Sequence, residues 1–168
     1  MSIYPAVVEM KKLLRGVDGW LDKAVAHAAA RKFDVNVLLQ SRLAPDMFPL
    51  VRQIQAVCDQ AKYAAGRTGG KEMPSHPDTE TTIDELRARI ASVVAYLDTF
   101  GEKDFADVAT RTVTTPRWEG KHMTATNYVL EHAQPNFYFH LGMTYALLRS
   151  SGVDVGKRDY LGAMTYIP

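Results

Sequence analysis

The sequence predicts an all-α fold, an up-and-down bundle of four amphipathic helices with a short extended segment or hairpin between the third and the fourth. Three observations carry this. Apolar residues recur every three or four positions in four separate stretches, glycines and prolines punctuate the gaps, and β-favouring composition is confined to one short segment. Each apolar stripe can leave water only against the others, so the four are expected to close on one another. A length of 168 residues with 46% hydrophobic content suits one domain over residues 1–168.

The first stripe is Ile3, Val7, Met10, Leu14, Val17, Leu21, Ala24 and Ala28. Gly16 and Gly19 each cost up to about 1 kcal/mol relative to alanine inside a helix. The phase continues past both, so one helix is expected, with room for a bend. Lys32 to Ala44 breaks the period and reads as a connector holding a short helical turn, in which Val35, Val37, Leu38 and Leu39 still need cover. At Ala44-Pro45-Asp46 a second helix is expected to start, with Asp46 accepting hydrogen bonds from the free amides of its first turn. Met47, Leu50, Val51, Ile54, Val57, Cys58 and Ala61 form its apolar face, and Gly69-Gly70 ends it. Residues Gly69 to Thr81 hold two glycines, two prolines and little apolar content, which predicts an exposed loop.

Thr82-Ile83-Asp84-Glu85 has the spacing of a capping box, and Ile83, Leu86, Ile90, Val93, Leu97 and Phe100 follow on one face before Gly101. Between Glu102 and Met123 the threonines around Val113 favour an extended segment, a hairpin or lid. The fourth helix is expected from about Thr124 to Ser151. Pro135 inside it removes one backbone hydrogen bond and predicts a kink or a wider turn just before Asn136. Val155, Tyr160, Leu161, Met164 and Tyr166 predict a tail that packs back on the bundle. Period does not reveal helix direction, and the connectors are long enough for crossovers.

Composition excludes several classes of function. Twenty basic side chains against nineteen acidic ones leave a net charge of +1, too little field to attract a nucleic acid or an acidic membrane. Charged residues interrupt every long apolar stretch, so no membrane span is expected. The single cysteine, Cys58, permits no internal disulfide, and the N-terminus lacks a signal peptide's basic and apolar regions; a cytoplasmic protein is the expectation.

The richest site candidate is His132, Asn136 and His140, spaced four residues apart around Pro135, so that neighbours in the series can reach one metal ion or one polar ligand. The competing reading makes His140 a buried histidine bonded to a carbonyl and His132 a surface residue. A divalent ion would need a further ligand from a facing helix. The second helix has no histidine but offers Gln53, between Leu50 and Ile54, and Asp46, seven residues earlier. An inward Gln53 would bond Asn136 or His140, so a metal-free polar network competes with a metal site. Cys58 reads as a small core residue, Arg87-Ala88-Arg89 as a solvated face, and Trp118 as a cover for a pocket mouth or a subunit interface. His27, His76 and His122 are expected at the surface.

Two runs of residues carry a resemblance. Arg42-Leu43-Ala44-Pro45-Asp46-Met47-Phe48-Pro49-Leu50 with Gln53 and Asp59-Gln60-Ala61-Lys62, and Pro135-Asn136-Phe137-Tyr138-Phe139-His140 with Gly156-Lys157-Arg158-Asp159-Tyr160-Leu161-Gly162, resemble an uncharacterised branch of the DinB/YfiT-like metalloenzyme superfamily over nearly the whole chain. The resemblance implies a four-helix bundle, commonly a homodimer, with a small-molecule pocket between the second and last long helices. In that superfamily one histidine of the second helix and an H-x-x-x-H pair of the last hold a divalent metal, Zn, Ni or Fe. Here His140 aligns with the second histidine of the pair, Asn136 stands at the first, and the second helix supplies none. The resemblance therefore leaves two expectations: a ligand pocket at His140, Asn136 and Gln53, with or without a metal and with Tyr138 or His132 assisting, or a non-enzymatic dimeric binding or structural bundle that has lost the metal triad.

Overall fold

The computed structural model describes residues 2–167 and is a four-helix bundle. Helix α1 (Tyr4–Arg31) begins with Pro5 in its first turn and buries Val7, Met10, Leu14, Val17, Leu21, Ala24 and Ala28. It runs unbroken through Gly16 and Gly19. It stops at Lys32, which takes a left-handed conformation with φ of 59°. Asp34 then caps a short 3-10 turn (Val35–Gln40) by accepting the Asn36 amide at 2.9 Å. The turn buries Leu38 and Leu39, while Val37 stays 59% exposed.

Helix α2 (Leu50–Gly69) begins four residues later than the sequence suggested. Pro49 explains the shift. Inside a helix it would remove the bond to residue 45 and crowd that carbonyl, whereas just before the first turn its missing N–H costs nothing. Residues 44–47 form a turn instead, closed by the Met47 amide on the Ala44 carbonyl at 3.0 Å, and Leu50 N–H donates to Ser41 O at 3.0 Å. Asp46 is exposed in that turn and caps no helix.

Helix α3 (Ile83–Asp98) starts with the expected box: Thr82 Oγ1 accepts the Glu85 amide at 3.2 Å, and Glu85 Oε2 accepts the Thr82 amide at 2.9 Å. Strands β1 (Thr112–Val113) and β2 (Met123–Thr124) then pair as a small antiparallel hairpin. The fourth long helix is a continuous run of three segments: α4 (Ala125–Asn127), a π-helical stretch (Tyr128–Ala133) and α5 (Gln134–Ser150). The widened turn lies just ahead of Pro135, where the missing amide interrupts the regular ladder.

Ion pairs and contacts give the helix directions. Arg87 meets Asp18 and Asp22 of α1 while Lys11 meets Asp98, so α1 and α3 are antiparallel. Asp59 faces Arg89 and Gly69 faces Phe100, so α2 and α3 are parallel. Gln53 faces His140 and Arg67 faces Tyr128, so α2 and the fourth helix are antiparallel. The order is therefore up-down-down-up rather than strictly up-and-down, and residues 71–82 form the crossover. Helix α6 (Lys157–Leu161) packs back on α1 through Trp20 Nε1, which donates to Asp159 O at 3.2 Å, but Met164 and Tyr166 are exposed. One apolar core draws on every long helix, and among the described residues no helix is long and apolar enough to cross a membrane.

Candidate functional site

Helix α2 turns Gln53, Gln60 and Arg67, seven residues apart and so on nearly one face, toward the fourth helix. Gln53 is only 2% exposed and both ends of its amide are engaged: Nε2 donates to the Phe48 carbonyl at 3.2 Å, and Oε1 lies 2.8 Å from His140 Nδ1. A carbonyl oxygen can only accept, so Nδ1 carries the proton and Nε2 keeps its lone pair. Burial holds the His140 pKa below its ordinary value, so the ring is neutral near pH 7. Nε2 has no partner within the chain and is not among the buried unpaired atoms, so solvent reaches it. Phe48 stacks on the imidazole at 6.4 Å and Phe139 meets it edge-on at 5.2 Å. Both phenylalanines are about half exposed, which makes an aromatic mouth around one unprotonated nitrogen.

The other sequence candidates separate. Asn136 donates from Nδ2 to the His132 carbonyl of its own helix at 2.6 Å, which ties its amide nitrogen to that helix rather than to Gln53 or His140. His132 is half-buried rather than at the surface. It stacks on Tyr128 at 5.3 Å and meets the edge of Trp118 at 5.4 Å, and its Nδ1 is buried without a partner. Tyr138 lies on another face and lines a cavity of about 380 Å³ with Ile3, Pro5, Glu9 and Leu130, away from His140. Asp46 sits in the exposed turn. A second opening, about 490 Å³, lies near Phe105 and Ala109.

A divalent ion does not fit the Gln53–Asn136–His140 set as it stands. Gln53 Oε1 is held by His140 Nδ1–H, Asn136 offers only a neutral amide oxygen, and one imidazole nitrogen remains, a donor set without the second imidazole, thiolate or carboxylate that a first-row divalent ion takes. Among the described residues no three His, Cys, Asp or Glu side chains are placed to hold a metal ion together.

The presumed solvated face at Arg87–Arg89 is instead an ionic junction. Arg87 bonds α1, and the Arg89 side chain is 1% exposed against Asp59 at 2.9 Å, Asp78 at 2.9 Å and Glu80 at 3.0 Å. Lys62, 3% exposed, reaches Asp59 at 2.9 Å and His76 at 3.1 Å, and His76 Nε2 lies 2.9 Å from Ser92 Oγ. The crossover loop is thus exposed or half-buried along its length, and it turns Asp78 and Glu80 toward Arg89. Burial, helped by Asp59 and Glu80, outweighs Arg89 and pushes the Cys58 thiol up to about 12, which leaves it inert. Spacing held the clue to Arg89, which falls three residues after Leu86 and four before Val93 on the buried stripe.

A model of the family described as a domain of unknown function, DUF1993, matches residues 4–161. The crystal structure of a DinB family member protein from Shewanella denitrificans is similar over 96% of this chain and 92% of that chain, at 50% sequence identity and a TM-score of 0.92. No curated protein matches the chain.

Proposed function

The chain belongs to the DUF1993 family and its fold is that of the DinB-like bundles, and we propose that it is a metal-independent binding protein in which the Gln53–His140 pair stands where the sequence resemblance implies a metal ion. Its ligand is a small, partly apolar molecule with an O–H or N–H donor. The single observation behind this reading is the clamped Gln53 amide, which commits His140 to one tautomer and points a neutral lone pair at a mouth walled by Phe48 and Phe139. A neutral imidazole favours a donor, and two aromatic faces favour a flat apolar body.

Two measurements test it. Tag-free protein is assayed for bound metal as purified and after incubation with Zn²⁺, Ni²⁺ and Fe²⁺, wild type beside His140→Ala. Substoichiometric metal in both is expected; stoichiometric metal removed by the substitution would sink metal independence. Phenol is then titrated with the His140 ring followed by NMR, and anisole, which lacks the donor, serves as control. Phenol should shift the His140 resonances saturably and anisole should not. An undisturbed His140 ring in phenol would sink the binding site.

A further inference from the structure

At the other end of the same seam Arg67 projects from the last turn of α2. Its guanidinium lies 4.2 Å over the Tyr63 ring and 5.7 Å from the centre of the Tyr128 ring, and it donates to Tyr128 Oη at 3.1 Å. Arg52, Lys62, Arg87 and Arg89 each meet a carboxylate, but among the described residues none lies within 4 Å of Arg67. The helix dipole favours a cation at that end by roughly 0.3–1 kcal/mol, yet it uses none of the donor directions. A guanidinium has five N–H donors, and one is spent on Tyr128. The others are not among the buried unpaired atoms, so they face solvent.

Beside it, the widened turn of Tyr128–Ala133 lays the His132 ring parallel to Tyr128, with an interplanar angle of 20°, and Trp118 closes over both from the hairpin connection. His132 Nδ1 and Gln60 Oε1, one heptad along α2 from Arg67, are buried and unpaired. A half-buried cation without a counterion, a neighbouring imidazole that feels its charge and three aromatic walls share one place. We propose that Arg67, His132, Tyr128 and Trp118 form a binding site for the carboxylate of a flat aromatic acid. The carboxylate takes the free N–H edge of the guanidinium and meets the His132 ring through its charge rather than through the closed Nδ1, while the ring of the acid lies along Trp118.

This site is distinct from the one at His140. Fourteen residues of α2 separate Gln53 from Arg67, about 21 Å at a rise of about 1.5 Å per residue. Their demands are also opposite: the lone pair at His140 repels a carboxylate, whereas Arg67 requires one.

Calorimetric titration with benzoate at constant ionic strength, with the uncharged isostere benzamide as control, tests the assignment. Saturable benzoate binding is expected, at least tenfold weaker in Arg67→Gln, weaker several-fold in Trp118→Ala and unchanged in His140→Ala. Benzoate should also raise the pKa of His132, followed by NMR, because an anion favours the charged imidazolium. Should Arg67→Gln fail to fold, Trp118→Ala and the His132 titration decide. Absent benzoate binding, equal binding of benzamide, or binding abolished by His140→Ala overturns the site, and none of these bears on the response of His140 to phenol.

Discussion

Arg89 is where a single residue matters most to stability. Its charge is held in the interior by Asp59, Asp78 and Glu80, and Arg52 joins the cluster through Asp78 and Gln55. Burial alone would lower the Arg89 pKa, but the Coulombic pull of Asp59 and the hydrogen bond to Glu80 outweigh it and raise it further. Removing one member of a buried ionic group leaves the others desolvated without compensation. Arg89→Met is therefore expected to cost about 3 kcal/mol, near the lower end for such breaks because Asp78 and Asp59 keep some contact with water. Arg87→Met, which breaks pairs with the more exposed Asp18 and Asp22, should cost under about 1 kcal/mol. Urea unfolding of the two variants reads the difference directly, and equal midpoints would show that the junction contributes nothing special. The same residue marks a limit of reading sequence: charge argued for solvent, spacing argued for the core, and only the acids of a crossover loop some ten residues away reconcile the two.

At the scale of the helix, α2 facing α5 makes the site. The stripes of α1 and α3 and the box at Thr82 were legible because they depend on near neighbours in the chain. The start of α2 was misread since two prolines compete for it, and Pro49 prevails because Ser41 O and Ala44 O hold the intervening turn. Pro135 announced a wider turn, and the π-helical stretch supplies it. Phe48 and Phe139 were not recognised as a mouth, because exposure of an aromatic depends on which helix fails to cover it. Those facing helices still carry the spacing of a three-ligand site. Gln53 already reaches His140, and Asn136 precedes His140 by four residues on the same face. The double variant Gln53→His with Asn136→His is thus expected to bind one Zn²⁺ per chain. It should be stabilised by about 2.7 kcal/mol at a free metal level of 100 times Kd, a gain that a chelator reverses. A double variant that folds but shows no zinc-dependent rise in thermal midpoint would mean the helices stand too far apart for a shared ion.

The whole molecule distributes its titratable groups so that acid acts on it in two stages. Helix order escaped the sequence for a related reason: a stripe shows which face is buried, while direction is settled by long-range pairs such as Asp59 with Arg89 and Gln53 with His140. Those same pairs fix the proton balance. His76, His132 and His140 all have folded pKa values below the ordinary 6.5, by burial first, with Lys62 and Arg89 adding to the effect at His76 and Arg67 at His132. Each is neutral in the fold and protonates more readily unfolded, so its contribution is complete above pH 6.5 and is lost as pH falls toward the folded values. The carboxylates follow lower down. Burial pushes Asp78 and Glu80 up, but hydrogen bonds from Arg52 and Arg89 to Asp78, and from the backbone, Arg89 and Gln55 to Glu80, hold both below their ordinary 3.8 and 4.5. Their contribution is present above those values and disappears as pH falls through the folded ones. Thermal unfolding followed across pH should therefore show a level midpoint above neutrality, a first decline beginning near 6.5 and a steeper one below 4.5. Replacing His132 and His140 together with glutamine should reduce the first decline to the share of His76 and leave the second in place. A wild-type midpoint that stays level down to 4.5 would contradict the neutral, desolvated imidazoles on which both proposed sites depend.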